Sequence, residues 1–215
     1  MQRGIEIGRL ITFEGGEGSG KSTQAGILAN RLARAGRGVF PTREPGGSPA
    51  AEEIRETLLS GQVAQFGPLA EAVMFAVARG DHVDTAIKDA LQEGKWVVCD
   101  RFYDSTRAYQ GATGGVPRGL INALERLTVG ALSPDITFIL DIPADEGLAR
   151  AQARGEGAEP DRFEGQELMM HECVRRAFLD IADEEPGRCI VVDASQPEAM
   201  VAEDVWEAVL HRLNP

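Results

Sequence analysis

The feature that most constrains the fold of this 215-residue chain is a glycine-rich loop between an apolar segment and a helical pattern. The loop, Gly15-Gly16-Glu17-Gly18-Ser19-Gly20-Lys21-Ser22, fits G-x-x-x-x-G-K-[ST], and the apolar segment before it ends at Phe13. Glycines let successive backbone N–H groups turn toward phosphate oxygens, and the positive end of the following helix faces the same anions. The sequence therefore predicts a strand, a phosphate-binding loop and a helix, and with them binding of ATP or GTP.

The residue types of this loop predict a role for each part of it. The Lys21 ammonium can neutralise the β- and γ-phosphates, and the Ser22 hydroxyl can be a ligand of Mg²⁺. A chance glycine-rich turn is the alternative, which the strand–loop–helix context disfavours. The residues expected to contact ATP are Gly15, Gly16, Glu17, Gly18, Ser19, Gly20, Lys21, Ser22 and Thr23.

Short apolar runs alternate with longer helical patterns along the whole chain. The runs predicted as strands are Leu10–Phe13, Val39–Phe40, Trp96–Cys99, Ile136–Leu140 and Ile190–Val192. The segments with helical spacing include Ala25–Ala35, Ala70–Ala78, Thr85–Leu91 and Val201–Leu213. Nearly continuous apolar strands are typical of a parallel sheet buried on both faces. This alternation predicts one α/β domain over residues 1–215, with a doubly wound, mainly five-stranded parallel sheet and helices on both faces.

One segment departs from the alternation. Arg154–Gly165 is polar, rich in glycine and carries both signs of charge. A surface loop and a mobile lid are both compatible with this composition. We expect a short lid at about residues 150–165.

Composition excludes several classes of protein. The chain has 22 basic and 34 acidic side chains, a net charge of −12, whereas a nucleic-acid-binding protein is expected to be basic. Its apolar runs are far shorter than the ~20 residues that cross a bilayer, and no signal peptide is expected because the first residues lack a sustained apolar core and a small-residue cleavage site. The cysteines and histidines are scattered, which favours reduced thiols over disulfides or a zinc site. We therefore expect a soluble, cytoplasmic protein that binds neither nucleic acid nor membrane.

The phosphate-binding loop alone does not identify the reaction. A GTPase needs Asn-Lys-x-Asp, which the sequence lacks, and many ATPases end a strand with Asp-Glu. Here the corresponding strand ends with Asp100-Arg101. An arginine cannot activate water, but it can bind a second phosphate bidentately. This pattern indicates phosphoryl transfer between two phosphorylated partners.

A second anion site is predicted at the carboxyl edge of the sheet. Arg43 and Arg101 follow the second and third strands, so both emerge at the edge where such sheets bind ligands. Phe75 and Arg79, and likewise Thr106 and Gln110, are spaced four residues apart on helical faces. Such groups could recognise a pyrimidine, although the same spacing also suits a core phenylalanine and a solvated glutamine.

Several stretches together resemble thymidylate kinases of the bacterial type, within the P-loop nucleoside monophosphate kinases. They are Phe13–Thr23 (FEGGEGSGKST), Thr42–Ser48 (TREPGGS), Met74–Arg79 (MFAVAR), Asp100–Gly111 (DRFYDSTRAYQG) and Pro134–Asp141 (PDITFILD). The resemblance covers nearly the whole chain, and the second and fourth stretches are its most specific parts. It implies transfer of the γ-phosphoryl group of ATP, with Mg²⁺, to dTMP, giving dTDP and ADP for dTTP synthesis. It also implies a homodimer.

The resemblance implies roles for four candidate catalytic residues and a metal site. Lys21 would bridge the donor phosphates, and Arg101 would hold the acceptor phosphate. Glu17 would approach the 3′-hydroxyl of the acceptor sugar. Asp100 would join Ser22 on the magnesium side, directly or through water. Because Gly18-Ser19 cannot supply the arginine that some members carry in the loop, Arg154 becomes the catalytic candidate from the lid, with Arg150 and Arg162 as alternatives.

The resemblance also implies a set of dTMP-binding residues, called the acceptor set below. Phe75 would stack on thymine while Arg79 meets O4, and Thr106 and Gln110 would lie near the polar edge of the base. Tyr109 would lie beside the sugar, where its ring would exclude a ribose 2′-hydroxyl. The acceptor set comprises Glu17, Arg43, Arg55, Phe75, Arg79, Arg101, Thr106, Tyr109 and Gln110.

Two other functions share part of this pattern. A kinase of another small acceptor, such as AMP, CMP, GMP or shikimate, would share the loop and the lid. An ATPase used as a binding switch would carry a lysine early in the loop, where this chain has Glu14-Gly15-Gly16. The first rival is distinguished by an acceptor panel, and the second by ATP turnover that ignores every nucleoside monophosphate.

Overall fold

The computed structural model describes residues 8–154 and 167–215, in which five strands form one parallel sheet. The strands are β1 (Arg9–Glu14), β2 (Val39–Arg43), β3 (Trp96–Asp100), β4 (Ile136–Asp141) and β5 (Cys189–Asp193). Their order is β2-β3-β1-β4-β5, and each neighbouring pair is parallel. The predicted α/β fold with a five-stranded parallel sheet is confirmed.

Helices connect the strands. They are α1 (Lys21–Arg34), α2 (Pro49–Leu59), α3 (Gly67–His82), α4 (Lys88–Gln92), α5 (Tyr103–Thr106), α6 (Arg118–Thr128), α7 (Ala144–Arg154), α8 (Leu168–Glu184) and α9 (Glu198–Leu213). A 3₁₀ turn precedes α3 at Ala64–Phe66, and π-helical turns follow α3 at Val83–Ile87 and α5 at Arg107–Thr113. None of the helices within the two described ranges is both long enough and apolar enough to span a membrane.

The central strand β1 is buried on both faces. Ile11 and Phe13 pack in a core that includes Leu28 of α1 and Val205 of α9. Leu10 points to the other side, where it belongs to a second core formed with the turn after α3. Alternate residues of a strand point to opposite faces, so an uninterrupted apolar strand requires helices on both sides.

Two features of the chain differ from the sequence prediction. The helices predicted at Ala70–Ala78 and Thr85–Leu91 form one continuous helical stretch, because the π-helical turn at Val83–Ile87 joins α3 to α4. The strands also extend beyond their apolar runs to polar residues at the carboxyl edge, where Asp100 pairs in register with Phe13 of β1 and Arg43 of β2. Backbone hydrogen bonds between the strands continue past the last apolar residue, because they do not depend on the polarity of the side chains. This extension places charged side chains at the carboxyl edge.

Candidate active site

The phosphate-binding loop, residues 15–20, connects β1 to α1 at the carboxyl edge of the sheet. Gly18 has φ +69°, and a Cβ there would lie 1.8 Å from the carbonyl oxygen of Gly147 in α7. A Cβ on Gly147 would in turn lie 2.4 Å from the carbonyl oxygen of Glu17. Two facing glycines therefore let the loop pack directly on α7. Sequence reasoning missed Gly147, which carries no local motif.

Lys21 lies in the first turn of α1 and folds back over the loop. Its Nζ donates to the carbonyl oxygen of Gly16 at 2.6 Å and to Oγ of Ser19 at 3.2 Å. Burial, and then the charge of Arg101, lower the pKa of Lys21 from 10.5 to about 8, against the opposing charge of Glu17. The ammonium is thus held inside the loop, where phosphate oxygens could replace these neutral acceptors.

A cleft of about 240 Å³ opens beside the loop. Every member of the acceptor set lines it, together with Gly18, Gly20, Lys21, Ser22 and Asp100. Gly15, Gly16, Ser19 and Thr23 lie in the loop or the start of α1 and are not among the residues that line the cleft. The structure therefore brings the predicted acceptor residues to one place, next to part of the predicted ATP-binding loop.

Arg101 lines the cleft and contacts the phosphate-binding loop through the carbonyl oxygen of Gly15. Its Nη2 donates to Glu17 Oε1 at 2.6 Å, and its guanidinium lies 5.4 Å from the centroid of the Tyr109 ring. The Tyr109 hydroxyl donates to the same carboxylate at 3.1 Å. Burial alone would raise the pKa of Glu17, but the charges of Arg101 and Lys21 and this hydroxyl lower it to about 2. Glu17 is therefore an anion that holds Arg101 in position.

Glu14, at the end of β1, anchors the turn that carries Arg101. Arg101 has φ +68°, an unfavourable conformation for a side chain of this size. Glu14 accepts from the backbone N–H of Phe102 at 2.7 Å, and from the N–H and Oγ of Ser105 at 3.2 and 2.6 Å. Arg101 Nη1 donates to the same Ser105 hydroxyl at 3.2 Å. Sequence reasoning assigned no role to Glu14, since these contacts join distant parts of the chain.

One end of the cleft is built on α3, which supplies Phe75 and Arg79. Arg79 donates from Nε to Glu44 Oε2 at 2.7 Å and from Nη2 to Thr106 Oγ1 at 3.2 Å. Arg79 and Glu44 are both almost fully buried, so each charge needs the other. Phe75 lies one turn before Arg79 and is half-buried. Glu44 was missed because its partner is on a different element.

Arg43 and Arg55, the two other arginines of the acceptor set, also line the cleft. Arg43 Nη2 contacts both oxygens of Glu52, at 3.1 and 3.2 Å. Arg55 Nη1 donates to the carbonyl oxygen of Pro45 at 2.7 Å. Burial, and then the charge of Arg43, lower the pKa of Arg55. Arg43 and Arg55 lie close enough for their charges to interact, and the exposed pairing of Arg43 with Glu52 can be exchanged for pairing with an anion.

Asp100 and Ser22 provide oxygen atoms that suit magnesium. The Ser22 hydroxyl donates to Asp100 Oδ2. Asp100 Oδ1 is buried and has no hydrogen-bond partner among the residues that the structure describes. Across the same residues no group of three or more His, Cys, Asp or Glu side chains could hold a metal. Because Mg²⁺ takes oxygen ligands in octahedral geometry, the remaining ligands would be phosphate oxygens and water.

The lid arginines are only partly described. Arg154 is the last residue of α7, and its side chain lies outside the described part of the chain, as do residues 155–166 with Arg162. Arg150 donates to the carbonyl oxygens of Ala194 and Ser195, at 2.7 and 3.2 Å, in the loop after β5. Arg150 is thus bound to the protein's own backbone.

A phosphate-binding loop beside a cleft lined with guanidinium groups, both at the carboxyl edge of a parallel sheet, is the arrangement typical of a P-loop kinase of a phosphorylated acceptor. The profile of the family described as Thymidylate kinase matches residues 13–205. The chain belongs to the thymidylate kinase family, which phosphorylates dTMP to dTDP using ATP.

Individual relatives agree with this assignment. The thymidylate kinase of Bradyrhizobium diazoefficiens is 54% identical over 215 residues, which cover 100% of this chain and 94% of that protein. That of Nitrobacter hamburgensis is 54% identical over 210 residues, 98% of this chain and 91% of the relative. The crystal structure of thymidylate kinase from Ehrlichia chaffeensis superposes with a TM-score of 0.74 at 35% identity, covering 94% of this chain and 98% of that one. The resemblance inferred from the motifs is confirmed.

Glu14 gives the site a testable pH dependence. Burial, and then the charge of Asp104, raise the pKa of Glu14 from 4.5 to about 7, against the charge of Arg101. Between these values the folded state holds a proton that the unfolded state has lost, so this group's contribution to the free energy of unfolding decreases as pH rises. The full decrease is up to about 3 kcal/mol.

We expect Glu14→Gln to remove this decrease, because its side chain stays neutral. The measurement is urea unfolding of both proteins from pH 4.5 to 8. Glu203→Gln, at an exposed ion pair with Arg31, is the control and should keep the wild-type slope. If the free energy of unfolding changed with pH in the same way for wild type and Glu14→Gln, the pKa of Glu14 would not be raised and the prediction would be wrong.

Proposed function

We propose that the acceptor set binds dTMP and that the loop from Gly15 to Thr23 binds ATP, so that the cleft is where the γ-phosphoryl group is transferred. The observation that supports this most strongly is the position of Arg101. Its guanidinium lies between the phosphate-binding loop and the rest of the acceptor set, in reach of Glu17 and over the Tyr109 ring. A phosphate placed there would lie beside the donor site.

Phosphoryl transfer needs positioning and charge neutralisation more than covalent chemistry. The bond between the γ-phosphorus and the oxygen that bridges it to ADP breaks, and a bond to an oxygen of the dTMP phosphate forms. Lys21 would neutralise the donor phosphates, and Arg101 would orient the acceptor phosphate. The acceptor phosphate would displace Glu17 from Arg101, and Glu17 could then accept a hydrogen bond from the 3′-hydroxyl of dTMP.

We also propose that Ser22 and Asp100 hold Mg²⁺, Asp100 either directly or through water. The ion would supply positive charge to the phosphates during transfer. The buried Asp100 Oδ1 supports this assignment, since a buried carboxylate oxygen is otherwise paired.

At the other end of the cleft, Phe75 would stack on thymine and Arg79 would donate to O4. Thr106 accepts a hydrogen bond from Arg79, and this contact would hold both side chains at the edge of the base. Tyr109 would lie beside the sugar and exclude a ribose 2′-hydroxyl.

A coupled assay of ADP release across dTMP, dUMP, UMP, CMP, AMP and GMP tests the assignment. We expect the highest kcat/KM for dTMP and a clearly lower value for dUMP. Phe75→Ala should raise the KM for dTMP about tenfold or more, because stacking of a base is worth about 1–3 kcal/mol. The KM for ATP should not change. ATP turnover that is indifferent to every monophosphate would favour the binding-switch alternative, and an unchanged dTMP KM would exclude stacking on Phe75.

Arg154 remains our candidate for the arginine that contacts the transferring group. Such an arginine can be worth about 10³–10⁵ in rate in P-loop enzymes. We expect Arg154→Ala to lower kcat by at least about 10³, with little change in dTMP KM. Arg150→Ala, four residues earlier on α7 and bound to backbone carbonyls, is the matched control and should lower kcat by far less. Equal kcat losses in the two variants would remove Arg154 from this role.

We further propose that the protein is a homodimer that associates through α3 and α6. The exposed residues of α3 are all apolar: Pro68, Leu69, Val73 and Val77. Leu120 and Leu127 add exposed apolar surface on α6, which packs against α3. Because the chain has a net charge of −12, two copies are expected to associate through an uncharged part of the surface. The exposed apolar residues of α3 form such a surface, and the same surface on two copies can pack together about a two-fold axis.

A charged residue placed among the exposed apolar residues of α3 tests this association. We expect Val77→Glu to convert the dimer to monomer in sedimentation equilibrium or light scattering, because it buries an unpaired carboxylate at the interface. Leu210→Glu is the control, since Leu210 is similarly exposed on α9, at 44% against 52% for Val77. A monomeric wild type, or a Val77→Glu variant that remains dimeric, would contradict the proposal.

We assign the enzyme to the cytoplasm. Cys99, Cys173 and Cys189 are all free thiols, which is the state favoured in a reducing compartment.

A further inference from the structure

We propose that Glu71, which lies behind the cleft, fixes the orientation of the Gln110 amide and thereby makes the enzyme select thymine over cytosine. The inference rests on the proposed function of the cleft. Gln110 lines the cleft, whereas Glu71 does not. Both side chains are 3% exposed, and Gln110 Nε2 donates to Glu71 Oε2 at 3.3 Å.

The two ends of a glutamine amide have the same size but opposite hydrogen-bonding roles. In its ionised form a carboxyl group only accepts hydrogen bonds, and in that form Glu71 selects the nitrogen of Gln110 and not its oxygen. With its nitrogen bound behind the wall, Gln110 presents its carbonyl oxygen to the cleft. An apolar or neutral amide group at position 71 would leave both orientations available.

The selected orientation matches one pyrimidine. Thymine has a donor at N3 and an acceptor at O4, whereas cytosine has an acceptor at N3 and an amino group at C4. The Gln110 oxygen pairs with the N3–H of thymine and opposes the N3 lone pair of cytosine. Arg79, whose Nε is bound to Glu44, adds donors on the same edge. Two buried carboxylates thus fix one acceptor and one donor group toward the base.

The helix α3 supplies these groups from one face. Glu71, Phe75 and Arg79 are four residues apart, so they lie one above another. Phe75 lines the cleft between the two polar positions. Because Glu71 acts on the base only through Gln110, it is a positioning residue.

The test compares kcat/KM for dTMP and dCMP in one preparation of each variant. This ratio does not depend on the fraction of folded enzyme, which cancels. We expect Glu71→Gln to lower the dTMP/dCMP ratio about tenfold, the range expected for one hydrogen bond. The change should arise from a higher dTMP KM, with the KM for ATP unchanged. Glu71→Leu, which is of similar size and neither donates nor accepts, should lower the ratio similarly.

A double-mutant cycle with Gln110→Ala separates positioning from general structural damage. In the Gln110→Ala background, Glu71→Gln should leave the ratio unchanged, because no amide remains to be oriented. An unaltered ratio in the Glu71→Gln single variant, or an equal fall in the Gln110→Ala background, would overturn the inference. A wild type that does not prefer dTMP would instead overturn the proposed function, and this inference with it.

Discussion

The site depends on the contact between Glu14 and the turn at residues 101–105. Glu14 ends the central strand, directly before the phosphate-binding loop, and its carboxyl group accepts two backbone N–H groups and one hydroxyl from that turn. The end of one strand therefore fixes both the loop proposed to bind ATP and the arginine proposed to bind the acceptor phosphate. Their separation is set by a buried group within a rigid sheet, which is what in-line transfer between two anions requires.

Three arginines of the cleft are each paired with a carboxylate, and their burial distinguishes what they can do. Arg79 and Glu44 are 4% and 3% exposed, so separating them would leave an uncompensated buried charge. Arg43 and Glu52 are 55% and 41% exposed, and their pairing is readily exchanged for a phosphate. Arg101 and Glu17 are intermediate, at 20% and 17%. The end of the cleft at Arg79, proposed to bind the base, is thus rigid, while the end at Arg43 and Arg101, proposed to bind the acceptor phosphate, can exchange partners.

Local patterns predicted the architecture but not the supporting residues. The loop motif, the apolar strands and the order of the motifs are local, and they predicted the fold, the family and a set of residues that the structure gathers in one cleft. Glu14, Glu44 and Glu71 act through partners 35 to 91 positions away. Gly147 matters because it approaches the loop at Gly18. No spacing rule within a short segment could identify such residues, because their roles arise only when the sheet brings distant elements together.

The helix α3 shows how one element serves both the site and the surface. Glu71, Phe75 and Arg79 form one row, and Leu69, Val73 and Val77 form another, displaced by two residues. At 3.6 residues per turn, a displacement of two residues is a rotation of about 200°, so the rows face opposite ways. Phe75 and Arg79 of the first row line the cleft, and the second row is the apolar surface proposed to meet a second copy. This accounts for the apolar character of every exposed residue of the helix, since neither face needs a polar side chain for solvent. A dimer that packs on the row of Leu69, Val73 and Val77 would also restrain Phe75 and Arg79 on the opposite face, and the geometry of the pocket proposed for the base would then depend on association of the subunits.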